Sequence, residues 1–237
     1  MLAPAAIYGL LFLGQRFPVT ECVAGGVSHT AMFREALRPA FLILLFCMFL
    51  TASTELTPNQ WVAKFLQDTA GLQEGILVLV FINFIMFGMR FFAGPISHRV
   101  SPIGLLFGCS ALSLIGLYAL SFAHTAATAF LTAGVFAVGI SFFWPTMLGV
   151  TSERFPVGGA FLLALMGAGG NISVGTTNPI FGKIYGDVGA ATAFRFVAIF
   201  PAILIVVFGV MWLSHRTAGG YRPVELNSEP APESVEA

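Results

Sequence analysis

Long stretches without charge constrain this chain more than any other feature. From Pro39 to Thr54, sixteen residues pass without a charged side chain, and runs such as ILVLVFINFIMFG and PAILIVVFGVMWL recur downstream. A soluble domain clothes its surface with roughly 25% charged residues. Here 57% of the 237 residues are hydrophobic and 9% are charged, so no wetted shell can be built. The solvent of this chain is a bilayer. Hydrocarbon offers no partner to an unpaired backbone group, which limits spanning segments to helices and closed barrels. Barrel strands alternate apolar and polar residues over about ten positions, and the runs quoted do not alternate. The expected fold is all-α: a polytopic membrane protein with a six-helix transmembrane bundle.

The spans are expected at 39–55, 73–92, 102–123, 126–150, 158–181 and 190–213. Upstream, LAPAAIYGLLFLG over 2–14 is apolar but shorter than the ~20 residues of a full crossing. No basic residue precedes it, as one would in a secretory signal, so 1–14 reads as a partial transmembrane helix. A cytoplasmic loop over 15–38, the bundle over 39–213 and a disordered, Pro-rich acidic cytoplasmic tail over 214–237 complete the plan. Lys and Arg favour the cytoplasmic side. With the start inside, Arg16, Arg34, Arg38, Arg90, Arg99, Arg154, Arg216 and Arg222 lie inside, against Lys64, Lys183 and Arg195 outside. Both termini are then cytoplasmic, in a plasma (bacterial inner) membrane. Six crossings divide into two groups of three with opposite topology, a division compatible with the inverted repeats of transporters.

Other classes of function find little support. Net charge is zero, and basic patches for nucleic acid are missing. Cys22, Cys47 and Cys109 are scattered, which gives neither a disulfide framework nor a metal cluster. His29, His98, His124 and His215 sit in loops or at span ends without a paired zinc spacing, and no nucleophile elbow is present. GAGGNIS, from Gly167 to Ser173, has the spacing of helix packing rather than of a phosphate-cradling loop. The chain is read as no enzyme, with no cofactor and no metal.

Polar residues inside the bilayer cost free energy unless they find a partner or water. Glu55 is the sharpest. It is either a hydrated carboxylate at the outer membrane boundary or a site residue facing a central cavity. Asn59 and Gln60 add amides beside it, and Trp61 adds a flat ring. A sugar uses such a combination, with hydrogen bonds to its hydroxyls and a ring under its C–H face. The indole is equally an interfacial anchor. Asn83, in VFINFIMFG, either bonds to another helix or lines a solute path. Asn171 and Asn178 flank ISVGTT, where Pro179 weakens the next turn. Trp144, beside Pro145 in SFFWPTM, is a core residue or a substrate platform. On the inner side, Glu153 is expected to pair with Arg90 or Arg99 as a cytoplasmic gate, with Arg154 adjacent; the plainer reading is that these charges only set orientation.

These residues resemble the carboxyl-terminal half of a major facilitator superfamily transporter. The loop Gly94-Pro-Ile-Ser-His-Arg-Val-Ser101 is similar to the superfamily's G-x-x-x-D-R-x-G loop, with Gly94 and Arg99 matching and His98 in the Asp position. SERFP, from Ser152 to Pro156, resembles the acid–Arg pairs after a fourth helix. FLTASTELTPNQW resembles the seventh-helix pattern of the fucose and glucose-type sugar:cation symporter group, through Phe49, Glu55 and Trp61. The resemblance runs from Leu2 to Leu213. It implies helices seven to twelve of a twelve-helix fold, with the solute site between two halves. The function it implies is ion-coupled transport of a small polar solute, a sugar. The coupling ion is a proton or sodium, and the partners are membrane lipid and an amino-terminal six-helix half. Export of amphipathic compounds and a non-transporting membrane scaffold are the alternatives.

Overall fold

The computed structural model describes residues 2–15, 18, 20–71, 75–94 and 100–224. Among them no strand occurs. Three short helices lead the chain: α1 (Leu2–Phe12), α2 (Glu21–Ala24) and α3 (His29–Ala36). The bundle is built from α4 (Pro39–Ala70), α5 (Ile76–Phe91), α6 (Pro102–Leu120), α7 (Ala126–Ile140), α8 (Phe143–Arg154), α9 (Gly159–Asp187) and α10 (Ala190–Thr217).

Among the described residues five rods are long and apolar enough to cross a membrane. They are α4, α6, the α7–α8 pair over Ala126–Arg154, Pro156–Asp187 containing α9, and α10. The apolar α5 has 16 residues, about 24 Å of rise against a hydrocarbon layer of ~30 Å. The fold is a multi-pass helical membrane bundle.

Local chemistry sets the helix ends. Pro39 and Pro102 occupy first-turn positions, where a missing N–H costs nothing. Ser101 accepts from the Gly104 N–H, and Thr125 with Thr128 forms a reciprocal cap for α7. Helix α4 stops at Gly71, whose φ of 61° is left-handed. Within the spans, hydroxyls such as Thr54, Ser110 and Thr151 donate to carbonyls four residues back. They therefore need no outside partner.

Three expected boundaries move. The first span does not end at residue 55, because α4 continues to Ala70 as a helix of 32 residues. Glu55 therefore lies near the middle of that helix, not at its mouth. Pro58 costs α4 one backbone bond, yet Thr57, Pro58, Val62, Phe65 and Leu66 are buried, and tertiary packing carries the helix through. The expected loop over 15–38 holds α2 and α3, with Phe33 of α3 against Phe161 of α9 at 4.8 Å between ring centroids. Helix α10 runs on to Thr217, inside the expected disordered tail, and residues 218–224 fold back toward α8. Residues 225–237 lie outside the described residues.

Helix α4 is the central post, touching α5, α7, α8, α9 and α10. Phe65, Phe181 and Phe194 join α4, α9 and α10 in one aromatic knot, with centroids 4.4 Å and 5.3 Å apart. Large exposed side chains such as Phe84 and Phe87 on α5, and Val206 and Val210 on α10, form the lipid-facing exterior. Between α6 and α7 the backbones themselves meet. A Cβ on Gly116 would come 2.3 Å from the Phe136 nitrogen, and one on Gly139 would come 2.4 Å from the Ser113 nitrogen. Small residues permit this approach.

Gly139→Val is therefore expected to lower the thermal unfolding temperature in detergent, at a cost of about 2 kcal/mol from overpacking. Gly108→Val, on the same α6 but facing open space, is expected to leave it unchanged. Equal stability of the two variants would contradict a tight α6–α7 crossing.

Candidate functional site

The site begins with a proline. Pro145 has no N–H to offer the carbonyl four residues back, which belongs to Ser141. The rod breaks there, between the end of α7 at Ile140 and the start of α8 at Phe143. A carbonyl freed at membrane depth must find another donor. Arg90, one residue before the end of α5, supplies it: its Nε donates to the Ser141 carbonyl at 2.9 Å. Its Nη2 lies 3.3 Å from Oε1 of Glu55. One guanidinium thus ties α4, α5 and the α7–α8 break together. The Glu55 side chain is 7% exposed and that of Arg90 42%. The acid is held inside, and the cation reaches it from an open side.

Along α4 and α9, several polar oxygens find no partner: Glu55 Oε2, Thr57 Oγ1, Asn59 Oδ1 and Asn178 Oδ1 are buried without a hydrogen-bond partner among the described residues. Each such oxygen costs about 1–3 kcal/mol while it stays unpaired. Glu55 Oε2, Asn59 Oδ1 and Asn178 Oδ1 call for O–H, N–H or cationic donors, and the Thr57 hydroxyl can accept or donate.

The seam between α4 and α9 holds much of the rest. Ser53 and Thr177 hydroxyls meet at 2.9 Å, and Asn178 Nδ2 donates to Gln60 Oε1 at 2.6 Å. Further along, Trp61 packs on Phe181 and Tyr185, with centroids 5.3 Å and 5.2 Å away. Tyr185 donates to Asp68, which also pairs with Lys64 at 3.2 Å. Partner numbers rise together on both helices, so α4 and α9 run parallel.

Of the residues expected at the site, Glu55, Asn59, Gln60 and Asn178 belong to these two groups. Trp61 is half-buried and engaged by the α9 aromatics Phe181 and Tyr185. Trp144 seats its ring over Gly170, beside Met48, at the crossing of α8, α9 and α4. Asn83 and Asn171 are exposed and donate to Leu79 and Gly167, each one turn back on its own helix. Neither makes the interhelical bond that was one expectation for Asn83.

The expected cytoplasmic gate is rearranged. Arg90 is committed to Glu55 and Ser141, and does not pair with Glu153. Arg99 lies outside the described residues. Glu153 instead accepts from the Tyr221 hydroxyl at 2.7 Å, and its carbonyl accepts from the Val224 N–H at 2.8 Å. Burial, then the bond to Glu153, push the Tyr221 hydroxyl well above the ordinary tyrosine range. Arg154 donates to the Arg222 carbonyl at 3.4 Å and lies over the Tyr221 ring. These residues clasp the chain end to α8.

Sequence reasoning missed Arg90 as the partner of Glu55, the Ser141 carbonyl, Thr57 and the Tyr221 clasp. Pro145 did carry a signal for Ser141, since a proline names the carbonyl it frees. No local pattern names Arg90 as the donor, because its long stem reaches across 51 residues of sequence.

The fold and composition define the class: a multi-pass helical membrane protein with an ion pair inside its bundle. No protein-family model matches this chain, and no curated protein matches it.

Removing Arg90 alone strands the Glu55 carboxylate. Arg90→Gln is expected to cost about 2 kcal/mol of stability, below the ~3–5 kcal/mol of a fully buried pair because the guanidinium is half exposed. Adding Glu55→Gln is expected to recover most of that loss. Denaturant unfolding in detergent of both single variants and the double variant measures the coupling, and additive costs would contradict it.

Proposed function

We propose that the chain is the carboxyl-terminal half of a secondary active transporter, moving a small polar solute, a sugar, by ion-coupled alternating access. The observation that carries this reading is the set of buried, unpartnered oxygens on α4 and α9, with Glu55 Oε2 in the middle of α4 among them. Sugar hydroxyls are donors of the kind those oxygens lack, and the Gln60–Asn178 amides lie on the same two helices. Glu55 is the residue through which a coupling proton or sodium ion acts, since binding either neutralises the carboxylate that Arg90 now holds.

In this reading α5 counts as a crossing beside the five longer rods. The six then form two inverted groups of three, α4–α6 and α7–α10, with α7 and α8 as one crossing. Both termini are cytoplasmic in the plasma membrane. The resemblance to the major facilitator superfamily supports this arrangement and supplies the partner: an amino-terminal six-helix half that walls the other side of the solute path. The α7–α8 break is a point at which such a bundle can flex as it rocks.

Reconstitution into proteoliposomes, alone and with a candidate amino-terminal half, tests the proposal. Gradient-driven uptake of labelled sugars is expected in the mixture. Glu55→Gln is expected to reduce it on the order of tenfold or more while the bundle still assembles. Flux of hydrophobic cations without sugar flux would replace the reading with export of amphipathic compounds. Tight association without flux would replace it with a scaffold.

A further inference from the structure

Where the chain leaves α10, a cleft opens against the end of α8. Arg154, Ser214, His215, Ala218, Gly220 and Arg222 line a volume of about 370 Å³. We infer that this cleft binds the phosphate group of an anionic phospholipid.

The charge balance is one-sided. Two guanidiniums and an imidazole line the cleft, and among the described residues no carboxylate does. Among the described residues neither Arg154 nor Arg222 pairs with an acid. The adjacent acid, Glu153, accepts from the Tyr221 hydroxyl. Arg154 uses one N–H on the Arg222 carbonyl, and its guanidinium lies 5.9 Å over the Tyr221 ring. That positions a group with five donors in a fixed fork, which matches phosphate oxygens two at a time. His215 Nδ1 lies 2.6 Å from the Met211 carbonyl, so Nδ1 carries a proton and Nε2 has no bond along the helix.

A helix C-terminus ordinarily repels an anion. Here two of its last carbonyls are taken up by the turn that follows. Ala218 N–H bonds the Ser214 carbonyl at 3.1 Å, and Gly220 N–H bonds the His215 carbonyl at 2.8 Å. Gly219 and Gly220, at φ of 89° and 103°, make that turn possible.

The surroundings select a lipid over a free anion. Ile203, Val210, Ser214 and Ala218 recur at helical spacing along one face of α10. Ile203 and Val210 are exposed apolar residues, so an acyl-chain surface leads directly to the rim of the cleft. Beside it Arg216 lies 5.4 Å over the Trp212 ring, and tryptophan is enriched at the membrane–water boundary. The inference rests on the membrane fold alone and holds whether or not the chain transports a solute.

Native mass spectrometry of the full chain, titrated with phosphatidylglycerol or phosphatidylcholine, tests it. Phosphatidylglycerol is expected to bind at least about fivefold more tightly, and Arg154→Gln and Arg222→Gln each to weaken it about fivefold, the effect of one basic residue at a lipid surface. Lys183→Gln, on α9, is expected to change nothing. Arg222 lies beyond the last helix, so its variant keeps the bundle and decides the matter even where Arg154→Gln fails to fold. Equal binding of the two lipids, or no loss in Arg222→Gln, would overturn the inference. So would displacement by inorganic phosphate, which would assign the cleft to a soluble anion. Binding seen only after removal of residues 225–237 would assign it to the chain's own acidic end, and would overturn it as well.

Discussion

A backbone carbonyl in hydrocarbon has no water to fall back on, and the interior of this bundle is arranged around one such group. Pro145 deprives Ser141 of its helical donor. An amide or hydroxyl from a neighbouring helix could have answered, but the donor is the guanidinium of Arg90. A cation brought to that depth needs an anion, and Glu55 supplies it at 3.3 Å. The ion pair is thus the second consequence of a backbone problem. This order of causes explains why the acid sits mid-helix on α4, facing the end of α5, where hydration could not sustain it.

The rest of the packing gives α4 two different neighbourhoods. Toward α9 and α10 it meets a continuous seam of hydroxyls, amides and aromatic rings, from Ser53–Thr177 to the Phe65–Phe194 contact. That seam is well partnered along most of its length. On the face that meets Arg90 it carries Glu55 Oε2, with Asn59 Oδ1 one turn further on, neither with a donor among the described residues. A structural bundle gains nothing from such oxygens, because apolar side chains of similar shape would pack there at lower cost. Their presence on the helix that carries the acid held by Arg90 is what favours a binding role over glue.

Composition together with runs that do not alternate was enough to read the helical membrane class, because only helices and closed barrels satisfy a backbone in lipid. The span ends were less legible. At the end of the first span, residues 55–60 look like a polar mouth in sequence; tertiary burial of Thr57, Val62 and Phe65 overrides that local signal and carries α4 on to Ala70. Glu55, Gln60 and Asn178 stood out in the sequence because polar atoms in apolar runs are costly, and the structure gives each a partner on another helix. Their geometry was not legible. Arg90 looks like an orientation charge at a helix end, and only a long flexible stem lets it serve a carbonyl and a carboxylate on two other elements. For Trp61 and Trp144 the sequence left packing and platform roles open, because an isolated aromatic says nothing of Gly182 or Gly170, whose missing side chains make room for the rings.

The two bonds of Arg90 are separable, and this gives the pair its mechanical meaning. Nε serves the Ser141 carbonyl and Nη2 serves Glu55, so losing one partner does not require losing the other. Whatever neutralises Glu55 weakens one tie between α4 and α5 while leaving α5 fastened to the α7–α8 break. The carbonyl bond cannot be given up so cheaply, since no protonation removes the acceptor. Charge on Glu55 is therefore the adjustable element and the proline break the fixed one. The half-exposed guanidinium is the hinge pin between them. Under the transport reading, ion binding then acts by loosening one named contact between α4 and α5, and it leaves the architecture of the bundle intact.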